Sequence, residues 1–486
     1  MSFLSPQFKI TILPYNAPKG KEYDLPQEMV GSITSSRSIQ GNSISLTIPN
    51  GMRNISGLKK FKEVFHDQCV VRLYVRKNPS QEYRQLNVGY MNGLSVNLEA
   101  MGKLNWSIQF PGLEQKLQKQ ELFLDVATEK QANESKGRSK TGTTFEAAFT
   151  SIGQALAQVK SQKNLLIGLW DNIIYPLMGN FGTLETPFQY GGYEIVRKWN
   201  ANQEDSNALI TPYFTEGYTE NFVSKFNLFS QVQIGSSPRF WESISSMATQ
   251  PLYECFIDTL KTVFDDTQPI LDSINSYQVG ESGVSSLVFR KTPFDDMFNS
   301  QGEWNFEKDF KKVNYISSIG FQENPDDIYS GLHIGLSEFD SQSSTIIFPV
   351  KWSSALKQRY GYRVMQLKLD GLSFGPEETR TLAEKNNIIA AMKLIQDKLF
   401  NIFLPVAQSS IGNRTYLKNV TANVNCAFDF YRVGTALDMG EHEVIDFYGR
   451  YGYLTGVTDS FNPKGAASTS LQLKWIDNKE DLLPKF

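Results

Sequence analysis

The sequence predicts a mainly β fold with α+β character: two antiparallel β-barrel domains separated by a helical insertion and an α/β module. Three observations predict it. Short runs near both ends of the 486-residue chain alternate apolar with polar residues. Between those ends the apolar spacing changes to helical steps of three and four. Turn-forming pairs such as Gly41-Asn42 and Asn92-Gly93 punctuate the runs.

Residues 1–124 read as the first β unit. Ile44, Leu46 and Ile48 alternate with polar neighbours, as do Val71, Leu73 and Val75. The same holds for Leu94, Val96 and Leu98, and for Leu104, Trp106, Ile108 and Phe110. A period of two puts one face in a core and the other in water. Asn78-Pro79-Ser80 and Gly102 add further turns, and strands this short suit a small antiparallel barrel or sandwich.

Residues 125–235 read as a linker plus a helical insertion domain. Residues 129–140 hold too little apolar surface to offset the entropy of ordering. Thr143 and Glu146 then have capping-box spacing, and Phe145, Phe149, Ile152, Leu156 and Val159 fall on one helical stripe. Residues 165–177 predict a second buried helix, ended by Pro176 and Gly179.

Residues 236–320 read as the α/β module. Trp241, Ile244 and Met247 sit at helical spacing. Residues 251–258 read as a turn into a short buried strand and 283–290 as its partner. Pro293 ends that partner, because it has no N–H for a ladder.

Residues 321–486 read as the second β unit with an inserted long helix, about 376–404. A strand over 363–369 puts Met365, Leu367 and Leu369 on one face. Pro376 opens the helix, Leu382, Ile389, Met392, Leu399 and Phe403 mark its apolar side, and Pro405 closes it. Alternation returns in Val420, Ala422, Val424, Cys426 and Phe428, then in Tyr453, Thr455 and Val457, and in Leu471, Leu473 and Trp475.

Composition excludes several function classes. Lys plus Arg number 48 and Asp plus Glu 51, a net charge of −3, which leaves no basic excess to grip nucleic acid. Cys69, Cys255 and Cys426 are odd in number and far apart, which predicts no disulfide framework and a reducing compartment. Three His (His66, His333, His442) leave little stock for metal binding or imidazole chemistry. The N-terminus lacks the pattern of a secretory leader, and the most apolar stretch, 165–178, is broken by Asp171, Asn172 and Pro176. A soluble chain with no stable membrane insertion is expected. No Walker A, G-x-G-x-x-G, C-x-x-C or H-E-x-x-H spelling is present, so no cofactor and no metal site is expected.

Three features spell chemistry and have simpler readings. Gly371-Leu372-Ser373-Phe374-Gly375 matches a nucleophile elbow, with Ser373 as nucleophile and His442 as base. That reading needs parallel βα units, whereas the flanks read as antiparallel, and a glycine-rich turn before a helix explains the residues. His442-Glu443-Val444-Ile445-Asp446 starts like a zinc-protease helix but has Asp446 where the second His must stand, and Gly434 and Gly440 favour a turn or strand. Asp265-Asp266, Asp295-Asp296 and Asp326-Asp327 are paired carboxylates. Sequence neighbours do not supply the separation two-carboxylate catalysis needs. No catalytic residue is expected.

Four stretches carry a family resemblance. They are residues 29–48 of the first β unit and 241–256 with Gln250-Pro251-Leu252-Tyr253-Glu254-Cys255-Phe256. Next comes Leu287-Val288-Phe289-Arg290-Lys291-Thr292-Pro293-Phe294-Asp295. The last is Phe430-Tyr431-Arg432-Val433-Gly434-Thr435-Ala436-Leu437 followed by 449–461 and 470–474. In this order they resemble the baseplate hub proteins of contractile-tailed phages and related injection machines, including the N-terminal half of type VI secretion spikes. The resemblance implies two tail-tube-like barrels per chain and a homotrimer whose pseudo-sixfold ring adapts a sixfold tail tube to a threefold central spike. It implies a role as tail tube initiator and a place in the virion tail baseplate, assembled in the host bacterial cytoplasm. Implied partners are the central spike protein, the tail tube protein or a tube-initiating ring, and the tape measure protein, with DNA passing through the lumen unbound. The chain ends at Phe486 with no β-helical needle, so a separate spike is expected. The competing expectation is a baseplate-associated serine or glycan hydrolase using Ser373 and His442 or the paired carboxylates.

Overall fold

The computed structural model describes residues 6–13, 23–49, 69–98, 104–118, 189–190, 193–196, 208–214, 253–260, 285–291, 310–323, 329–336, 349–369 and 420–477, with scattered positions within 63–65, 239–245 and 381–400. The fold is mainly β. The expected segments at 129–140, 143–159 and 165–177, with Ser373, Pro376, Pro405, His66 and all three acid pairs, lie outside the described residues.

The first β unit holds β1 (Gln7–Leu13), β2 (Tyr23–Leu25), β3 (Ser32–Ser38), β4 (Ser43–Pro49), β5 (Val70–Arg76), β6 (Arg84–Tyr90), β7 (Gly93–Leu98) and β8 (Leu104–Pro111), followed by a short helix α1 (Leu113–Gln118). One sheet runs β2-β1-β5-β6, and the order β3-β4-β8-β7 forms part of another. The expected alternation is met: Ile44, Leu46 and Ile48 face Trp106, Ile108 and Phe110 of the neighbouring strand in one core with Val71, Leu73 and Val75. Burying each such side chain contributes roughly 1.5–3 kcal/mol. Asn92-Gly93 does not close a hairpin; there the chain leaves β6 in one sheet and enters β7 in the other. Next to that corner a Cβ on Gly89 would stand 2.8 Å from both Cβ and the carbonyl oxygen of Phe110, so the two sheets meet only because the residue is glycine.

A mixed sheet follows, in the order β12-β13-β11-β10-β9. Its strands are β9 (Gln189–Tyr190), β10 (Tyr193–Val196), β11 (Ala208–Phe214), β12 (Tyr253–Asp258) and β13 (Ser285–Lys291). The buried strand and its partner are as read: β12 and β13 pair antiparallel with Cys255 opposite Phe289, and β13 stops before Pro293. Residues 189–214, which the sequence reading leaves inside the insertion, supply three strands of this sheet.

The last third holds β14 (Lys311–Lys312), β15 (Ile316–Glu323), β16 (Gly331–Leu336), β17 (Lys351–Trp352), helix α2 (Ser354–Tyr360), β18 (Val364–Leu369), β19 (Val420–Cys426), β20 (Ala436–Asp438), helix α3 (Glu443–Tyr448), β21 (Tyr451–Phe461) and β22 (Ala467–Asp477). Strands β16, β17 and β18 form a small sheet in which β18 is parallel to β16, with Leu332 opposite Met365. This corrects the expectation of antiparallel flanks ahead of Gly371. Helix α2 causes the difference. Ser353 caps its start, Gly361 at φ 78 ends it, and the turn-back between strands makes a parallel return possible.

The apolar side expected for the long helix is corrected at two positions. Leu382 and Ile389, expected on its apolar side, are 76% and 43% exposed, while Gln396 and Phe400 are buried. The Gln396 amide donates to the carbonyls of Leu332 in β16 and of Pro349 ahead of β17.

The main sheet has ten strands. Its path is β15-β19-β22-β21-β3-β4-β8-β7, with β14 and β20 attached through β21. Strand β21 runs along β22 on one side; on the other it pairs with β20 over Tyr451–Tyr453 and with β3 over Gly456–Phe461. The two β units are thus edges of one another. The change of partner coincides with a bulge between Leu454 and Gly456. The bulge turns Leu454 into the core and leaves Thr455 half-exposed, against the expected Tyr453, Thr455, Val457 face. In β22, Trp475 sits at φ 55, so Ile476 rather than Trp475 follows Leu471 and Leu473 inward, and Trp475 stacks on Tyr453 at 4.8 Å.

Candidate functional site: a buried polar junction

Three parts of the chain meet where β3 joins β21, and charged side chains hold the meeting point. Arg37 stands on the inward face of β3, after Ile33 and Ser35. Its Nη2 donates to the Asp459 carboxylate at 2.9 Å and its Nη1 to the Tyr431 carbonyl at 2.8 Å. The other Asp459 oxygen accepts the Thr469 hydroxyl at 2.6 Å. Burial pushes the Asp459 carboxyl above the usual range, against the pull of Arg37.

The module enters through β12. The Asp258 carboxylate accepts Arg432 Nε at 2.8 Å, and the Glu254 carboxylate accepts the Tyr453 hydroxyl. Both acids share one face of β12, at a spacing of four. Toward the first β unit, the Asn42 amide donates to the Ile257 carbonyl at 2.8 Å and the Gln85 amide to the Thr259 carbonyl at 2.9 Å. The Thr259 hydroxyl reaches Asn87, whose amide donates to Ser35 Oγ at 3.0 Å and to the Ser43 carbonyl at 3.0 Å. Phe428, Phe430, Phe461 and Leu260 complete the first unit's core from sequence positions far outside it.

A buried acid lies at the entry to α1. The Glu114 carboxylate accepts the Asn42 N–H, and a Cβ on Gly112 or Gly41 would crowd it. Burial raises Glu114 to about 7. At the solvent side of the junction, Asp429 receives Lys77 at 2.5 Å and Lys311 at 3.2 Å. Burial pushes Asp429 up, and the ammoniums of Lys311 and Lys77 more than offset it, leaving it below the usual carboxylate range.

Of the expected chemical residues, His442 is described and lies outside this site. His442 caps α3, its Nδ1 accepting the Val444 N–H at 3.2 Å, so 442–446 enters a six-residue helix rather than the turn or strand expected. Cys69, Cys255 and Cys426 are buried free thiols. Among the described residues no cluster of three metal-ligating side chains occurs, and no helix is long and apolar enough to cross a membrane. Sequence reading missed Arg37, Glu254, Asp258, Arg432 and Asp459. The signal was there: Arg37 and Asp459 each occupy an inward position of a period-two run, where a charge must find a partner.

Neither a protein-family model nor a curated protein matches the sequence. Solved structures align with most of the chain. The 43 kDa tail protein of prophage MuSo2 from Shewanella oneidensis matches at TM-score 0.47 and 9% identity, over 97% of this chain and 100% of that one. The prophage tail protein gp18 from Listeria monocytogenes matches at 0.44 and 9%, over 97% and 95%. The E. coli c3393 protein, a component of the type VI secretion system, matches at 0.35 and 4%, over 93% and 74%.

Proposed function

We propose that this chain is a structural protein of a phage tail or phage-like contractile injection machine, acting as its baseplate hub. Three copies form a ring that matches the sixfold tail tube to the threefold central spike and lines the channel for DNA or effectors. The observation that carries this is the ten-stranded sheet running through both β units. Among the described strands, β7 and β15 pair on one side only. Open edges invite pairing with another chain, and two β units per chain times three chains give six similar positions. The sequence resemblance to hub proteins supports the same reading, and a net charge of −3 suits a lumen through which DNA slides.

The partners in this reading are two further copies, the central spike protein, the tail tube protein or tube-initiating ring, and the tape measure protein. The place of work is the virion tail baseplate, and no residue performs catalysis. Light scattering is expected to give a trimer, and mixing with tube and spike proteins a stable complex. A monomer at high concentration that joins neither overturns the reading. One observation favours the competing serine hydrolase: β18, just ahead of Gly371, is parallel to β16. Loss of ester turnover in Ser373→Ala would support that enzyme. Normal assembly of the same variant with no turnover to lose supports the hub.

A further inference from the structure

The solvent side of the junction carries more positive charge than it neutralises. Lys77 follows β5 and Arg84 opens β6, so both flank one hairpin, with Val75 opposite Arg84 in register. Lys311 comes from β14 in the second β unit. Lys77 and Lys311 converge on one oxygen of Asp429. Lys311 also donates to the Phe430 carbonyl at 2.6 Å. Arg84 and Lys77 lie over the Phe430 ring, at 5.6 and 5.9 Å from its centre. Among the described residues Asp429 is the only acid that Lys77 and Lys311 meet, and Arg84 has its contact with the Phe430 ring. Arg37 and Asp459, behind it, neutralise each other. The Lys77 and Lys311 side chains are 27% and 36% exposed, so the surplus is reachable from water.

We infer that Lys77, Arg84 and Lys311 form a docking notch for a carboxylate-bearing segment of a partner protein. The resident Asp429 shows what the cluster accepts: one carboxylate held between ammoniums, with Phe430 as an apolar floor. A second carboxylate would bridge Lys77 and Arg84, the guanidinium offering a two-pronged face. The cations are gathered at one point rather than along a stripe, which fits a side chain of a folded partner better than a nucleic-acid backbone. Because the notch draws on both β units, it exists only when they are joined, and a partner bound there reads the assembled junction. The inference does not depend on the trimer, which light scattering reads separately.

The test uses the full chain and a fluorescent hexaglutamate peptide, with a thymidine oligonucleotide as second probe. Lys77→Gln combined with Arg84→Gln is expected to weaken peptide binding about tenfold at low salt, whereas Lys474→Gln, an exposed position on β22, leaves it unchanged. Arg84→Gln alone, expected to cost about threefold, keeps the test open if the double variant unfolds on heating earlier than the parent. Peptide binding that ignores both variants overturns the inference, as does no binding at all. So does an oligonucleotide that binds more tightly than the peptide through the same residues.

Discussion

Arg37 and Asp459 face one another across the only strand pair that joins the two β units among the described strands, guanidinium to carboxylate at 2.9 Å, with side chains 3% and 0% exposed. Neither charge has another ionic partner within the described structure, so each depends on the other. Arg37→Met leaves a buried carboxylate alone and is expected to cost about 3–5 kcal/mol in urea unfolding. Arg37→Met with Asp459→Leu is expected to recover most of that loss. A double variant as unstable as the single one would show that the ion pair is not what couples the units.

Glu114 makes stability depend on pH. Its carboxyl titrates at about 7 in the fold, against 4.5 when free. The folded state therefore holds the proton more tightly. The favourable contribution is full below about pH 4.5 and is lost as pH rises through 7. Glu114→Gln is expected to remove this slope, gaining about 2–4 kcal/mol over the parent at pH 8.5 and little at pH 4.5. Parallel stability curves for parent and variant would rule out a buried acid that titrates.

Tyr453→Phe deletes the hydroxyl that Glu254 accepts, while the ring keeps its stack on Trp475. Leaving that buried carboxylate short of a donor is expected to cost about 1–3 kcal/mol. Because Glu254 belongs to β12, amide exchange over 253–260 should quicken more than exchange in β4 or β8.

Gly89→Ala and Gly320→Ala form a matched pair. The first places a methyl group against Phe110 where the two sheets touch and is expected to cost about 1–3 kcal/mol. The second meets nothing within 4 Å and is expected to leave the melting temperature within about a degree. Equal effects would mean that the sheet corner is not closely packed.

Alternation alone was enough for the inward faces of β4, β5, β8 and β19, because a period of two needs no knowledge of the partner strand. It failed at Thr455 and Trp475, where a bulge and a positive φ swap faces, since one extra residue or one left-handed one shifts everything after it. Helical spacing placed Leu382 and Ile389 on an apolar side, yet both are exposed, because spacing does not say what covers a face.

By itself the sequence determined the mainly β class, the pairing of 251–258 with 283–290, and the scarcity of His and Cys. Only the tertiary structure decided which strands share an edge. That β3 pairs with β21, more than 400 positions later, has no local signature, because the backbone hydrogen bonds of a ladder are the same for any partner. What selects this partner is the fit of side chains gathered from three distant segments: Arg37, Asp459 and the wedge of β12. A buried charge tells that a partner must exist; only the fold tells which one.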